Sequence, residues 1–313
     1  MISRPTIYCV RHTTSYAYGH PVDLAAHVLH LTPRDCPGQR VLKTSLECEP
    51  QPVRRETGTD HFGNRIVWLF HEEPHSRFDI VAFSEVEVSF PELPPVGMTL
   101  PWEEIVALAA SDPEVSEYLF EGSMCPTSAR VGDYVAQDFP VGRPVLEGLL
   151  ALNERVFREF RFRSGVTSLR TKPEEVLDRG EGVCQDFTHL MLSGLRSLGL
   201  PARYMSGYIR TRPPQGQKRR LGADVSHAWV GVWLGPDYGW IGLDPTNGIV
   251  VRDEHVILGW GRDYGDISPV RGLILGGGGD TLRVGVDLVP CDEWYQDPEL
   301  MKLGVFPPSA LVE

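Results

Sequence analysis

The stretch that decides the fold is GEGVCQDFTHLMLSGLRSLGLPA, residues 180–202. A loop with two glycines precedes Cys184, and the apolar residues that follow recur at helical spacing. Gly199 and Pro201 indicate the end of this helix, because glycine favours the position just past a helix and proline cannot continue one. The pattern therefore predicts an amphipathic helix that begins at Cys184.

Strands are predicted after this helix, over residues 202–210, 227–234 and 239–243. The second strand begins at His227, and the third leads into Asp244. The polar segment 212–222, rich in proline, glycine and arginine, is predicted to be a mobile loop. The chain thus presents a cysteine at a helix start, a histidine on one strand and an aspartate at the end of the next.

This order permits nucleophilic chemistry at a thiol. The thiolate is the nucleophilic form, and both a helix N-terminus and a neighbouring imidazolium favour it at Cys184. Asp244 can accept a hydrogen bond from the second ring nitrogen of His227, because neighbouring strands lie about 5 Å apart. Taken singly, each residue has an ordinary alternative: a core thiol, a core histidine and a turn aspartate before Pro245. Only their joint placement argues for catalysis.

The region before residue 91 has the pattern of β-strands. Apolar residues alternate or cluster over residues 8–18, 41–48, 66–70 and 77–90. No strong helical pattern separates these segments, so they predict a sandwich-like antiparallel domain. The proline-rich segment 91–97 ends the pattern, and helix signals follow it. We therefore divide the chain into an N-terminal β domain, a helical connector, a catalytic core and a C-terminal tail, at residues 1–95, 96–144, 145–290 and 291–313.

Composition and charge exclude several classes of function. The 313 residues carry a formal net charge of −12, which disfavours contact with phosphate backbones, so we expect no nucleic-acid partner. No apolar run approaches the ~18 residues of a membrane span, so we expect no membrane partner. The six cysteines lack paired spacing, and the first residues lack a secretory pattern. We therefore expect a cytoplasmic protein whose cysteines are mostly free core thiols.

Three blocks resemble the core of the bacterial transglutaminase-like superfamily of cysteine enzymes. They are GVCQDF, SHAW and LDPTN, at residues 182–187, 226–229 and 243–247. The segment LGLPARY, residues 198–204, is also similar to that family. The segments YAY, HLTPR and DHFGN resemble the β domain that precedes this core in many bacterial members, and they lie at residues 16–18, 30–34 and 60–64. Together the two resemblances cover most of the chain.

The resemblance implies an α+β protein in which a papain-like core follows the β domain, with a cysteine-bearing helix packed on an antiparallel sheet. It implies Cys184 as nucleophile, His227 as general base and acid, and Asp244 as the residue that orients His227. The implied reaction is acyl transfer from an amide of a peptide or protein through a thioester. Water as acceptor gives an amidase or peptidase, and an amine gives a transglutaminase. A non-catalytic peptide-binding module with the same core is the remaining alternative.

Three further residues are candidates for substrate binding. Trp229 lies on the same side of its strand as His227, and Gly182 and Gln185 flank the nucleophile in sequence. A glycine there would let a substrate backbone approach closely. A purely structural role is also open for each of these residues, and for Trp229 it is nearly as well supported.

The resemblance carries no metal or cofactor with it. Animal members use a tryptophan before the cysteine to help hold the oxyanion, but Trp102, the nearest one upstream here, lies in a different segment. The resemblance therefore implies only one oxyanion donor in this chain, the backbone N–H of Cys184. No calcium or zinc ligand spacing is evident, so we predict a metal-independent enzyme without cofactors. Relatives' genes often lie beside genes for peptide-ligase-like (ATP-grasp) proteins, which suggests partners in a peptide-modifying pathway.

Overall fold

The computed structural model describes residues 5–212, 220–222, 224 and 226–303. Most of the loop predicted at 212–222 lies outside these described residues. Within them, no helix is both long enough and apolar enough to cross a membrane.

The described chain contains strands and helices in the following order. The strands are β1 (Thr6–Leu29), β2 (Gln39–Glu49), β3 (Arg54–Thr59), β4 (Arg65–His71), β5 (His75–Val88), β6 (Arg161–Phe162), β7 (Glu181–Gly182), β8 (Ala202–Ile209), β9 (Ser226–Trp233), β10 (Trp240–Asp244), β11 (Ile249–Val250), β12 (His255–Gly261), β13 (Val270–Gly276) and β14 (Asp280–Pro290). The α-helices are α1 (Trp102–Ala109), α2 (Pro113–Ser116), α3 (Ala129–Ala136), α4 (Val145–Glu159), α5 (Pro173–Arg179), α6 (Cys184–Ser197), α7 (Tyr264–Ile267), α8 (Cys291–Trp294) and α9 (Pro298–Leu303). Short 3-10 helices lie at Val96–Met98 and Glu117–Leu119.

Antiparallel pairing builds one seven-stranded sheet around β1. The first half of β1 pairs with β5 on one side and β14 on the other. Beyond a register shift between Ala17 and Val22, the second half pairs with β4 and β13. β2 pairs with β5, and β3 pairs with β4. The predicted strand-rich N-terminal domain is confirmed, but two strands from late in the chain complete its sheet.

Those two strands lie elsewhere than the sequence-based division suggests. The sequence places residues 270–290 in the core, whereas β13 and β14 pair with β1. Alternation identifies a strand but not its partner, and a central strand of 24 residues has backbone groups to satisfy along both edges. Four glycines, residues 276–279, join β13 to β14 at the bend of β1, where the Gly19 N–H donates to the Gly279 carbonyl at 2.9 Å. All four of these glycines have positive φ, which other residues rarely adopt.

The second sheet carries the candidate catalytic residues. Its five antiparallel strands run in the order β11-β10-β9-β8-β12. α6 packs against one face, where Ala228, Val230 and Val232 of β9 join its buried apolar core, and α3 and α5 pack beside α6. Removal of these groups from water, at roughly 25 cal/mol per Å² of apolar surface, stabilises the layer. The α+β prediction of a cysteine-bearing helix on an antiparallel sheet is confirmed.

Hydrogen bonds across the two sheets join them into one packed unit. The side chain of Gln39 accepts from the Ile257 N–H at 2.7 Å and donates to the Ile257 carbonyl at 2.8 Å. The Tyr208 hydroxyl lies 3.0 Å from Nδ1 of His12. Burial lowers the pKa of His12 to about 4, so its ring is neutral near pH 7 and Nδ1 can accept a hydrogen bond from the Tyr208 hydroxyl. The β domain therefore covers the face of the second sheet that lies away from α6.

Two cysteines form a disulfide, and the expectation that they are free core thiols is wrong. Cys9 on β1 and Cys291 at the start of α8 are bonded, with 5.0 Å between their Cα atoms. They are 282 residues apart, and only the pairing of β1 with β14 makes them neighbours. Cys48 and Cys125 are buried free thiols, as expected, and Cys36 and Cys184 are half-buried free thiols.

Candidate active site

Cys184 is half-buried at the first position of α6. The turn is held by Asp186, whose Oδ2 accepts from the Val183 N–H and from the Thr167 hydroxyl, each at 2.7 Å. A carboxylate in the first turn suits the positive end of the helix dipole. The same end of the helix supplies unpaired N–H groups next to the thiol. Cys184 is thus held where negative charge on sulfur is favoured.

His227 and Asp244 meet beside this helix start, as the sequence predicts. Nε2 of His227 lies 2.8 Å from Oδ2 of Asp244, and both residues are buried. The Cys184 side chain hydrogen-bonds to His227 as well. Because Asp244 engages Nε2, the ring has Nδ1 available for the thiol. The structure therefore brings together the three residues that sequence reasoning selected.

Electrostatics at this cluster favour a charged imidazole. Burial by itself lowers the pKa of His227, but the hydrogen bond that its ring donates to Asp244 and the hydrogen bond with Cys184 outweigh burial and raise the pKa to about 10. Burial raises the pKa of Asp244, yet hydrogen bonds from His227 and His255 hold it well below the usual range. Near neutral pH, His227 is thus an imidazolium beside an ionised Asp244.

Two residues that contact Asp244 were not predicted from the sequence. Asn247 donates its amide N–H to Oδ2 of Asp244 at 2.7 Å, and Nε2 of His255 lies 3.4 Å from the same oxygen. Asn247 belongs to the LDPTN segment that carries the family resemblance, so the sequence indicated that it lies near the site but did not predict its hydrogen bond to Asp244. His255 begins β12, and only the sheet order brings it near.

Two tyrosines also lie close to the nucleophile. Burial is the main cause that raises the pKa of Tyr204 and of Tyr264, and negative charge on Cys184 raises it further in both. Their rings approach each other edge to face, with centroids 6.2 Å apart. The phenols stay protonated near neutral pH and add no negative charge beside the thiol. Nothing in the sequence pattern singles them out.

The residues predicted to bind substrate are placed differently. Trp229 is fully buried, and its ring packs on His227 and His255 with centroids 6.0 and 5.2 Å away. Gly182 is buried against the Asp186 carboxylate, because an added Cβ would lie 2.8 Å from Oδ2. Gln185 is half-buried in the first turn of α6. Trp229 thus packs beside the His227–Asp244 pair, and Gly182 leaves room for the Asp186 carboxylate.

Trp102 lies away from the thiol. It starts α1, packs edge to face on Phe139 and donates its indole N–H to the Pro140 carbonyl at 3.2 Å. His189, on α6, accepts from the Tyr264 N–H at 3.3 Å. Across the part of the chain that the structure describes, no three histidine, cysteine, aspartate or glutamate residues form a metal-binding cluster.

Comparison with known proteins extends these observations. The bacterial transglutaminase-like N-terminal region matches residues 8–87, and the transglutaminase-like superfamily matches residues 135–245. Uncharacterised proteins of Mycobacterium tuberculosis and Mycobacterium bovis are 38% identical over 293 residues, covering 90% of this chain and 92% of theirs. A protein-glutamine gamma-glutamyltransferase of Pseudomonas aeruginosa is 35% identical over 72 residues, 23% of this chain and 11% of that protein.

A solved structure shares the complete architecture. The crystal structure of a candidate cysteine protease from Cytophaga hutchinsonii has a TM-score of 0.72 at 20% identity, and the match covers 92% of each chain. Fold and matches together support the class of cysteine-based transamidases and peptidases. The chain belongs to the transglutaminase-like superfamily, and it carries the bacterial N-terminal region of that family.

Proposed function

We propose that this protein is a cysteine-dependent acyltransferase that acts on an amide of a peptide or protein. The observation that carries the proposal is the position of His227 between Cys184 and Asp244, 2.8 Å from the carboxylate. The local similarity to a protein-glutamine gamma-glutamyltransferase makes the glutamine side-chain amide the first acyl donor to test.

In the acylation half, the Cys184 thiolate attacks the amide carbonyl carbon, and the carbonyl oxygen becomes an oxyanion. The backbone N–H of Cys184, at the helix start, donates to this oxygen. The His227 imidazolium then gives its proton to the leaving nitrogen. The C–N bond breaks, ammonia or an amine departs, and the acyl group remains on sulfur as a thioester.

In the second half, neutral His227 takes a proton from the incoming nucleophile as that nucleophile attacks the thioester. Collapse of the tetrahedral intermediate breaks the C–S bond and returns the thiolate, so the imidazolium–thiolate pair is restored. Water as nucleophile completes amide hydrolysis, and a primary amine completes transamidation. Asp244 keeps the His227 ring in position and stabilises its charge throughout.

The test is incubation of the protein with glutamine-containing peptides, with and without cadaverine, followed by mass spectrometry and an ammonium assay. Transamidation gives an amine adduct, and hydrolysis gives glutamate or a cleaved peptide. The Cys184→Ala variant should form neither product. We expect equal rates in excess chelator, and activity that is lost in chelator and restored by calcium would contradict metal independence. A protein that binds the peptides but never acylates Cys184 would instead be the non-catalytic module.

A further inference from the structure

A cavity lies against the face of the second sheet that is turned away from α6. It has a volume of about 340 Å³ and opens between the second sheet and the β domain. Cys36 and Phe90 line it from the β domain, and Arg203, Trp240 and Trp260 line it from the core. Neither Cys184 nor His227 lines this cavity.

Its floor is a row of three paired residues across β8, β9 and β10. Arg203 pairs with Gly231, and Gly231 pairs with Gly242. An added Cβ on Gly231 would lie 3.0 Å from Nε of Arg203, and one on Gly242 would lie 3.2 Å from Nε1 of Trp229. The two glycines therefore leave room for the side chains of Arg203 and Val251, which lie over them and line the cavity.

Two hydrogen-bond donors at this floor have no partner among the residues that the structure describes. Nε of Arg203 and Nε1 of Trp229 are buried and unpaired, and Trp229 is 0% exposed. Arginine and tryptophan side chains can only donate hydrogen bonds, so a ligand that pairs with them must offer hydrogen-bond acceptors. Nε of Arg203 and Nε1 of Trp229 lie 3.0 and 3.2 Å from the positions that a Cβ on Gly231 and on Gly242 would take.

The charge at this cavity is positive. The Arg203 guanidinium lies over the rings of Trp240 and Trp260, with Cζ 4.2 and 3.7 Å from their centroids. Arg34 lies over the Trp260 ring as well, at 3.4 Å. Among described residues, Arg203 hydrogen-bonds to Tyr118 and forms no ion pair with a carboxylate. Burial lowers the pKa of Arg203 to about 9, so it is still charged near neutral pH. A half-buried cation without a counter-ion is costly, and an anionic ligand would offset that cost.

We propose that this cavity binds a small carboxylate with an apolar body, whose oxygens accept from the Arg203 guanidinium. The carboxylate supplies the missing negative charge and acceptors. The apolar body fits walls made of indole, phenyl and methionine side chains. This site lies apart from the thiol, and its argument does not depend on the proposed reaction.

The test is a calorimetric titration of the full chain with phenylacetate, with phenylacetamide as the neutral match. We expect saturable binding of the acid and at least about tenfold weaker binding of the amide. Arg203→Gln should weaken the binding of phenylacetate at least about tenfold. Gly231→Ala should also weaken phenylacetate binding while the charge remains, because its methyl would lie 2.9 Å from Cγ of Arg203 and would displace the guanidinium. Arg158→Gln, an exposed arginine on α4, serves as the matched control and should leave the affinity unchanged.

Folding of each variant is checked by its melting temperature, and Gly231→Ala decides the outcome where Arg203→Gln does not fold. Binding should persist after Cys184 has been alkylated with iodoacetamide. Four results would each overturn the proposal: no saturable binding of phenylacetate, equal binding of acid and amide, full affinity in both cavity variants, or loss of binding on alkylation. The last result would assign the carboxylate to the catalytic cleft instead.

Discussion

Asp244 has two roles, and its two carboxylate oxygens divide them. Oδ1 accepts from the backbone N–H groups of Thr246 and Asn247, at 3.0 and 3.2 Å, and so closes the turn after β10. Oδ2 faces His227. The predicted turn role of this aspartate is therefore confirmed, and its catalytic role stays a prediction. The turn fixes the carboxylate that orients the imidazole.

Asp244→Asn should lower the pKa of His227 far below about 10, because the variant removes the carboxylate that offsets the cost of burying the imidazolium. The ring should then lose its proton at a lower pH than in the parent protein. The measurement is an NMR titration of the His227 ring in both proteins. His12, buried away from Asp244, is the internal control. An unchanged His227 titration would remove Asp244 from the charged pair.

His227→Ala should reduce turnover by roughly 10²–10⁴-fold, the usual contribution of a general acid–base group. Asp244→Asn should reduce turnover less than His227→Ala does, because the imidazole that acts as the base remains. Steady-state rates on any glutamine peptide that is turned over, with ammonium as the readout, give the comparison. Equal and negligible effects of the two substitutions would contradict the triad.

Cys184→Ala should abolish turnover and leave the melting temperature within a few degrees of the parent protein, because the thiol is only half-buried. Thermal denaturation monitored by circular dichroism measures this stability. Cys125→Ala is the contrasting variant, since Cys125 is fully buried and its loss should lower the melting temperature. Unfolding of Cys184→Ala would show that the thiol is structural.

At the scale of elements, the start of α6 is the part on which the site depends. Asp186 accepts from Val183 and Thr167, and Gly182 leaves room for its carboxylate. Burial is the main influence on the Asp186 pKa and raises it, although both hydrogen bonds oppose this. One acidic side chain thereby closes the first turn and sets the backbone from which Cys184 projects.

Asp186→Ala should lower the free energy of unfolding by about 0.5–2 kcal/mol, the range for loss of a helix cap. It should also slow iodoacetamide labelling of Cys184, because the first turn is no longer held. Urea denaturation and peptide mass spectrometry measure the two effects. Asp178→Ala, at an exposed aspartate on α5, is the matched control and should change neither. If both variants behave like the parent protein, Asp186 does not hold this turn.

At the scale of the whole molecule, β1 ties the two ends of the described chain together. It pairs with strands on both of its edges, and two of these, β13 and β14, follow the strands of the second sheet in sequence. The Cys9–Cys291 disulfide fixes the same junction covalently. Trp294, fully buried, packs edge to face on Phe83 of the first sheet. The segment after the core is therefore part of the folded unit.

Reduction of this disulfide should lower the free energy of unfolding by about 2–4 kcal/mol, because the bond restricts a long loop in the unfolded chain. Thermal melts with and without tris(2-carboxyethyl)phosphine measure the change. The Cys9→Ser/Cys291→Ser double variant should melt like the reduced protein and should not respond to reductant. Non-reducing peptide mapping shows whether the bond is present. A parent protein with both thiols free as purified would contradict the pairing.

Local patterns were sufficient for much of the site. A helix start at Cys184 and strands that carry His227 and Asp244 follow from residue type and spacing, because both are encoded over a few neighbouring residues. The family resemblance then assigned their roles. The N-terminal strands were visible for the same reason, since alternation repeats every second residue.

Other features depend on which strands pair and in which register, and local sequence does not encode that. The addition of β13 and β14 to the first sheet, the bond between Cys9 and Cys291, and the approach of His255 to Asp244 all join distant segments. The position of the Arg203 side chain over Gly231 likewise depends on the pairing of β8 with β9. The sequence by itself determined the elements and the catalytic residue types. The tertiary structure alone decided their partners, because contacts between remote segments form only when the whole chain packs.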